Sequence, residues 1–125
     1  MKLPKRELLG WRWSDIQWQQ AKEDGTKTSF LQGNRETAGQ FTYALYLPPG
    51  YVGHVHHHSG DLNVAVVRGE FFLGMGSKFS RPNAKAFSEG SYLIIPADAP
   101  HYEFTKRKAA VLFATAVGPW VTTHD

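Results

Sequence analysis

What most limits the folds open to this chain is its punctuation: short apolar runs, none with the period of a helix, broken every few residues by Gly, Pro, Asn or Asp. Ile16 to Trp18, Thr28 to Gln32, Phe41 to Leu47, Val52 to His58, Leu62 to Arg68, Phe71 to Gly74, Tyr92 to Pro96, Tyr102 to Thr105 and Val111 to Val117 each read as a strand. They are bounded by turn formers and most are rich in β-branched and aromatic residues. Gly33-Asn34, Pro49-Gly50, Ser59-Gly60-Asp61, Arg68-Gly69 and Glu89-Gly90-Ser91 supply residues that suit turns or accept positive φ. Arg68 and Glu70 read as solvated charges at a strand reversal. Many short strands at close spacing predict an all-β sandwich or barrel. Ser77 to Ser88 is expected to be a loop between its two halves. A chain of 125 residues, 42% of them apolar, is expected to fold as one domain, 1–125, burying about two thirds of its unfolded surface.

Inside that pattern, His54-Val55-His56-His57-His58 carries four of the six histidines in five residues. On a strand, His54, His56 and His58 share one face and Val55 and His57 the other. Imidazoles packed this closely repel one another when protonated, and a buried neutral cluster is best satisfied by a cation that takes ring nitrogens as ligands. A solvated histidine-rich loop or a purification tag would read otherwise, but this run is internal with strand-like sequence on both sides.

Composition removes several alternatives. With no cysteine, any metal here has nitrogen and oxygen ligands, and neither a disulfide nor a thiolate nucleophile is available. The net charge of +3 is spread along the chain apart from Lys106-Arg107-Lys108; such a short basic run beside an apolar strand reads as a solvated turn, so no nucleic-acid partner is expected. Met1 to Glu7 lacks the apolar stretch of about 7 to 15 residues of a secretory signal, and no run nears the roughly 18 apolar residues of a membrane span. The expectation is a cytoplasmic protein with no membrane partner.

Spacing beyond the cluster adds a second constraint. Gly50, His56, His58, position 62 and Gly69 follow G-x5-H-x-H-x3-E-x6-G, and Gly90, Pro96, position 98, His101 and position 105 follow G-x5-P-x-G-x2-H-x3-N. Over about 50–69 and 90–105 the chain therefore resembles the small single-domain cupins in both of their motifs, and Tyr43 to Gly50 and Gly74-Met75-Gly76 look like them as well. The resemblance implies a jelly-roll β-barrel (a double-stranded β-helix) with a metal inside one end, the ligands His56, His58 and His101, and a homodimer. Leu62 stands where the family has its glutamate, and Asp98 and Thr105 replace the second motif's Gly and Asn, the last two reading as a turn residue and a strand residue. A site of three neutral imidazoles resembles that of some cupin dioxygenases, including diketone-cleaving ones. Fe(II) is the expected ion, with Zn, Ni or Mn as alternatives.

Three neutral ligands leave a divalent ion its full charge and open positions, which favours an anionic, chelating small molecule such as an enolate. Asp61 is one residue off register and would need a bulge to supply a fourth ligand. His54 shares the inward parity and is the candidate to orient a ligand or to act as acid or base, ahead of Tyr43 and Glu103. His57 reads as surface and His124 as part of a loose C-terminus. Among the aromatics, Tyr43, Tyr46, Phe72, Tyr102, Phe104 and Phe113 are first of all core packing, with a few expected to line a pocket. Trp11, Trp13 and Trp18 are expected to cover the sheet or a dimer contact, and Met75 to fill a gap. Two functions follow: a non-haem Fe(II) dioxygenase acting on a diketone-like molecule, or a metal-dependent binding or sensor domain without turnover. A Zn or Mn isomerase stands between them.

Overall fold

The computed structural model describes residues 7–125. Nine strands carry the fold: β1 (Lys27–Gln32), β2 (Gly39–Leu47), β3 (His56–His58), β4 (Leu62–Met75), β5 (Lys85–Ser88), β6 (Tyr92–Ile95), β7 (His101–Phe104), β8 (Ala110–Gly118) and β9 (Thr122–His124). Two 3-10 turns, Trp13–Asp15 and Arg81–Asn83, are the only helical pieces among the described residues. All pairings are antiparallel, in the order β1-β2-β8-β4-β7-β3-β9, with β5 and β6 added to β4. This is the all-β cupin jelly roll.

The barrel curls through β4. Its first half pairs with β8 and β6, its second half with β7 and β5, and the register shifts between Val66 and Arg68. A bulge there sharpens the twist and lets one continuous strand pass from one sheet to the other. Arg68-Gly69-Glu70 is thus not the expected strand reversal. Gly69 lies at φ 74° within the strand, and a Cβ on it would run into the Ala109 carbonyl. We expect Gly69→Ala to lower unfolding free energy by more than about 2 kcal/mol, from positive-φ strain plus the steric clash, as read by urea denaturation; a change under about 0.5 kcal/mol would contradict this.

Other boundaries also move. Of Val52 to His58, only His56–His58 is a strand, while Val52 makes an isolated bridge to Phe104. Ile16 to Trp18 is not a strand; Ile16 is buried and Trp18 packs edge-on against Tyr46 at 6.4 Å. Trp13 lies under the Arg68 guanidinium at 4.4 Å. The expected loop at 77–88 contains β5, and its Phe79 covers the outward face of β7 against Tyr102 and Phe104 at 4.8 and 5.8 Å. Met75 ends β4 half-exposed and fills no gap. Period-two alternation sends Phe41, Tyr43 and Leu47 of β2, Val64 and Val66 of β4, and Leu112, Ala114 and Ala116 of β8 into one buried cluster closed by Trp120. No helix among the described residues is long and apolar enough to cross a membrane.

Candidate metal centre

His56 and His58 stand two apart on β3 and leave the same face of the strand. β7 pairs with β3 so that His101 lies opposite His56. One nitrogen from each of the three rings therefore falls within 4.8 Å of the other two. The ring centroids are 4.9 Å apart for His56 and His58, 4.3 Å for His56 and His101 and 5.1 Å for His58 and His101.

Each ring is held by a hydrogen bond at Nδ1. His56 Nδ1 donates to the His54 carbonyl at 2.8 Å and His101 Nδ1 to the Ala99 carbonyl at 3.0 Å. A carbonyl can only accept, so both Nδ1 atoms carry the proton in the neutral ring and both Nε2 lone pairs are free. His58 Nδ1 meets the Thr122 hydroxyl at 2.9 Å, and its ring stacks on Trp120 with centroids 4.1 Å apart and planes at 18°. Burial, helped by the neighbouring imidazoles, pulls His58 down to about 3. Burial also pulls His101 down to about 4, against the bond to Ala99, which raises it. Two rings kept neutral by burial, the free Nε2 atoms of His56 and His101 and one ring nitrogen of His58 make a donor set of the kind a divalent ion takes, so the three-histidine group suits such an ion.

The remaining candidates are distributed differently from expectation. His54 has an exposed side chain at the cavity rim; what it contributes to the cluster is its backbone carbonyl. His57 faces away and pairs its Nδ1 with Asp125 Oδ2 at 2.8 Å. His124 is not in a loose tail: β9 pairs with β3, placing it opposite His56 with the rings 5.8 Å apart. Asp61 stays outside, its carboxylate accepting the Ala97 N–H at 2.7 Å, while Leu62 is buried and lines the cavity. Asp98 adopts φ 59°, a left-handed conformation that Asp tolerates in place of Gly. Thr105 accepts the Tyr51 N–H and donates to the Pro48 carbonyl, tying β7 to the turn before β3.

Of the acid–base candidates, Glu103, ranked behind His54 in the sequence, is the one whose side chain the fold brings up to the cluster. It lies two residues from His101 on β7 and so shares its face. Its Oε2 is 3.9 Å from His56 Nε2, and its side chain is 16% exposed. Burial pushes its carboxyl up to about 8. It stands beside the three-nitrogen group rather than within it. Gly53 leaves the room, since a Cβ there would come within 3.0 Å of Glu103 Oε1 and 3.1 Å of the Tyr51 hydroxyl. The signal was available: counting alternation from His101 brings Glu103 inward and turns Tyr102 and Phe104 to the other face. The histidines and Glu103 open onto a cavity of about 320 Å³ whose walls include Leu47, Val64, Leu73, Ile95 and Leu112.

Solved structures share this architecture. An RmlC-like cupin from Shewanella frigidimarina aligns over 90% of this chain and 91% of its own, at 19% identity and a TM-score of 0.69. The polyketide cyclase RemF from Streptomyces resistomycificus aligns over 98% and 85%, at 16% identity and a TM-score of 0.70. A cupin-superfamily sugar phosphate isomerase from Silicibacter pomeroyi aligns over 93% and 81%, at 16% identity and a TM-score of 0.70. Among curated proteins none matches the sequence. The family model described as the ChrR Cupin-like domain matches residues 7–121, nearly the whole chain, and with the jelly roll and the three-histidine cluster already in place this protein belongs to the ChrR-like cupin family.

Proposed function

We propose that this protein is a metal-dependent enzyme acting on a small chelating carbonyl compound as its enolate, with His56, His58 and His101 holding the ion and Glu103 moving the proton. The observation that carries the reading is that three imidazole nitrogens converge while the one nearby carboxyl stands just outside them. When bound, a divalent ion supplies double positive charge and open positions that favour two oxygens of an anionic ligand. Ionised by the positive charge of a bound ion beside it, the Glu103 carboxylate would take the proton from the carbon beside the substrate carbonyl, and the C–H electron pair would remain on the substrate as enolate. The apolar wall of Leu47, Val64, Leu73, Ile95 and Leu112 keeps water from that proton and holds the substrate's carbon skeleton. With Fe(II), the reaction proposed for the enolate is oxygen-dependent cleavage of a diketone-like compound. That the fold neighbours include proteins named as a cyclase and as an isomerase supports an enzyme over a passive binder.

The test uses protein reconstituted with Fe(II) without oxygen, first with a 2-hydroxy ketone in D2O, read by NMR for exchange at the carbon beside the carbonyl, then with a diketone under oxygen, read by oxygen uptake. Glu103→Gln should slow exchange by about 100-fold or more, the usual contribution of a general base, at unchanged metal stoichiometry. Uptake with the diketone supports the oxygenase; exchange without uptake assigns the isomerase. Bound metal with neither exchange nor uptake would sink the enzyme reading and leave a binding domain.

A further inference from the structure

The metal end does not use the whole cavity. Its wall also carries two polar groups with no assigned partner, Tyr43 and Arg35. Tyr43 is 8% exposed, and its hydroxyl has no hydrogen bond among the described residues although no fully enclosed polar atom goes unpaired; that hydroxyl opens on the cavity. Arg35 is half-buried on the β1–β2 connection and lies over the Phe30 ring at 5.1 Å. Among the described residues it forms no ion pair with any carboxylate. Its backbone carbonyl accepts the Trp120 N–H at 2.8 Å, which fastens this connection to the residue stacked on His58. Burial pushes the Tyr43 hydroxyl up to about 12, and the nearby Arg35 guanidinium opposes that rise. Asp24, at the same rim, is occupied by the Thr26 N–H at 2.9 Å and the Thr26 hydroxyl at 2.7 Å, and so does not neutralise Arg35.

A planar guanidinium without a carboxylate partner, with a free phenol on the same cavity wall, matches a planar anion that accepts two hydrogen bonds from the fork and a third from the hydroxyl. We propose that Arg35 and Tyr43 form a carboxylate subsite, so that the ligand is a small dianionic acid: a chelating carbonyl group at the histidine end and a carboxylate at the other. The inference rests on the proposed function for the histidine end alone; the Arg35 end stands on its own residues.

The probes are 2-oxoglutarate, 2-oxoadipate and 2-oxopimelate, each paired with the 2-oxo acid of equal chain length that lacks the remote carboxylate, titrated calorimetrically into the Zn(II)-loaded full chain. At least one dicarboxylate should bind about 10-fold or more tighter than its partner, the scale of a charge-assisted pair. Arg35→Gln should remove that preference while leaving the monocarboxylate's Kd unchanged, with Arg35→Lys recovering part of it and Tyr43→Phe losing a smaller part. Equal affinities in the unaltered protein, or a preference that survives Arg35→Gln, overturn the subsite. If the chain takes up no metal, the proposed function fails separately, and glutarate and adipate titrated into the metal-free protein decide the subsite: binding weakened by Arg35→Gln supports it, and no binding overturns it. A stronger response to the matching phosphonates than to the carboxylates also overturns the carboxylate assignment.

Discussion

Replacing His101 by alanine is expected to lower the affinity for Zn(II) or Fe(II) by more than about 100-fold, beyond the 10–100-fold usual for losing a group that merely orients a ligand. Three features set the size of the effect. His101 is the only ligand candidate on β7, so its loss opens one side of the cluster. Its ring is 1% exposed, so water has little access to stand in. Its Nδ1–H is fixed on Ala99 O, so the lone pair it offers is already aimed. Elemental analysis of chelator-free protein, beside competition with a fluorescent chelator, reads the effect. The variant also leaves a buried void, so affinities are measured well below its unfolding temperature. Thr122→Val is the companion: it removes the hydroxyl at His58 Nδ1 while keeping every ring, and should cost about 10-fold. A His101→Ala variant with undiminished metal uptake would mean that the histidines are not the ligands.

The metal-free protein should be most stable near pH 6.5 and lose stability on both sides. His58 and His101 have folded values below their unfolded 6.5, at about 3 and about 4. Below pH 6.5 the unfolded chain takes up protons that the folded chain does not, so their contribution falls as pH falls. Glu103 works the other way. Its folded value, about 8, lies above its unfolded 4.5, so its contribution is full below pH 4.5 and is lost as pH rises toward 8. From 6.5 down to 4.5 the two histidines outweigh the one carboxyl by a little under one proton on average, roughly 2 kcal/mol over that interval and about 8 °C in Tm for a domain of this size. From 6.5 up to 8 the loss from Glu103 is partly offset by the last protons leaving the unfolded histidines, and the net loss is about 1 kcal/mol. Thermal unfolding in chelator from pH 4.5 to 8.5 measures the profile. Glu103→Gln should flatten the alkaline limb and steepen the acid one. A Tm that climbs steadily to pH 8 would show that the Glu103 carboxyl is not held in its proton-bearing form.

The residues most visible in the sequence are those whose roles depend on local spacing. His56 and His58 are separated by one residue, and two spaced motifs brought His101 into the same site; the three rings do meet. The strands over 41–47 and 111–117 were visible because alternation on a half-buried surface leaves its mark in the residue types. Gly69 was legible as a residue needing positive φ, but not as a bulge inside one long strand, because a turn and a bulge ask for the same local conformation. Whether the chain reverses or continues depends on which partners it finds, and β7 and β8 are both distant in sequence.

The same physical reason separates what the sequence by itself determined from what the tertiary structure decided. Period, turn chemistry and motif spacing are short-range properties, and they determined an all-β barrel, the three histidines and the replacement of the motif glutamate by Leu62. Facing and proximity across the barrel are long-range. Only pairing of β3 with β9 brought His124 beside His56 and Thr122 to His58; only pairing of β3 with β7 carried Glu103 to within 3.9 Å of His56; only the connection held by Trp120 placed Arg35 on the same cavity wall. A strand's alternation says which side chains go together, and the partner strand decides what they meet.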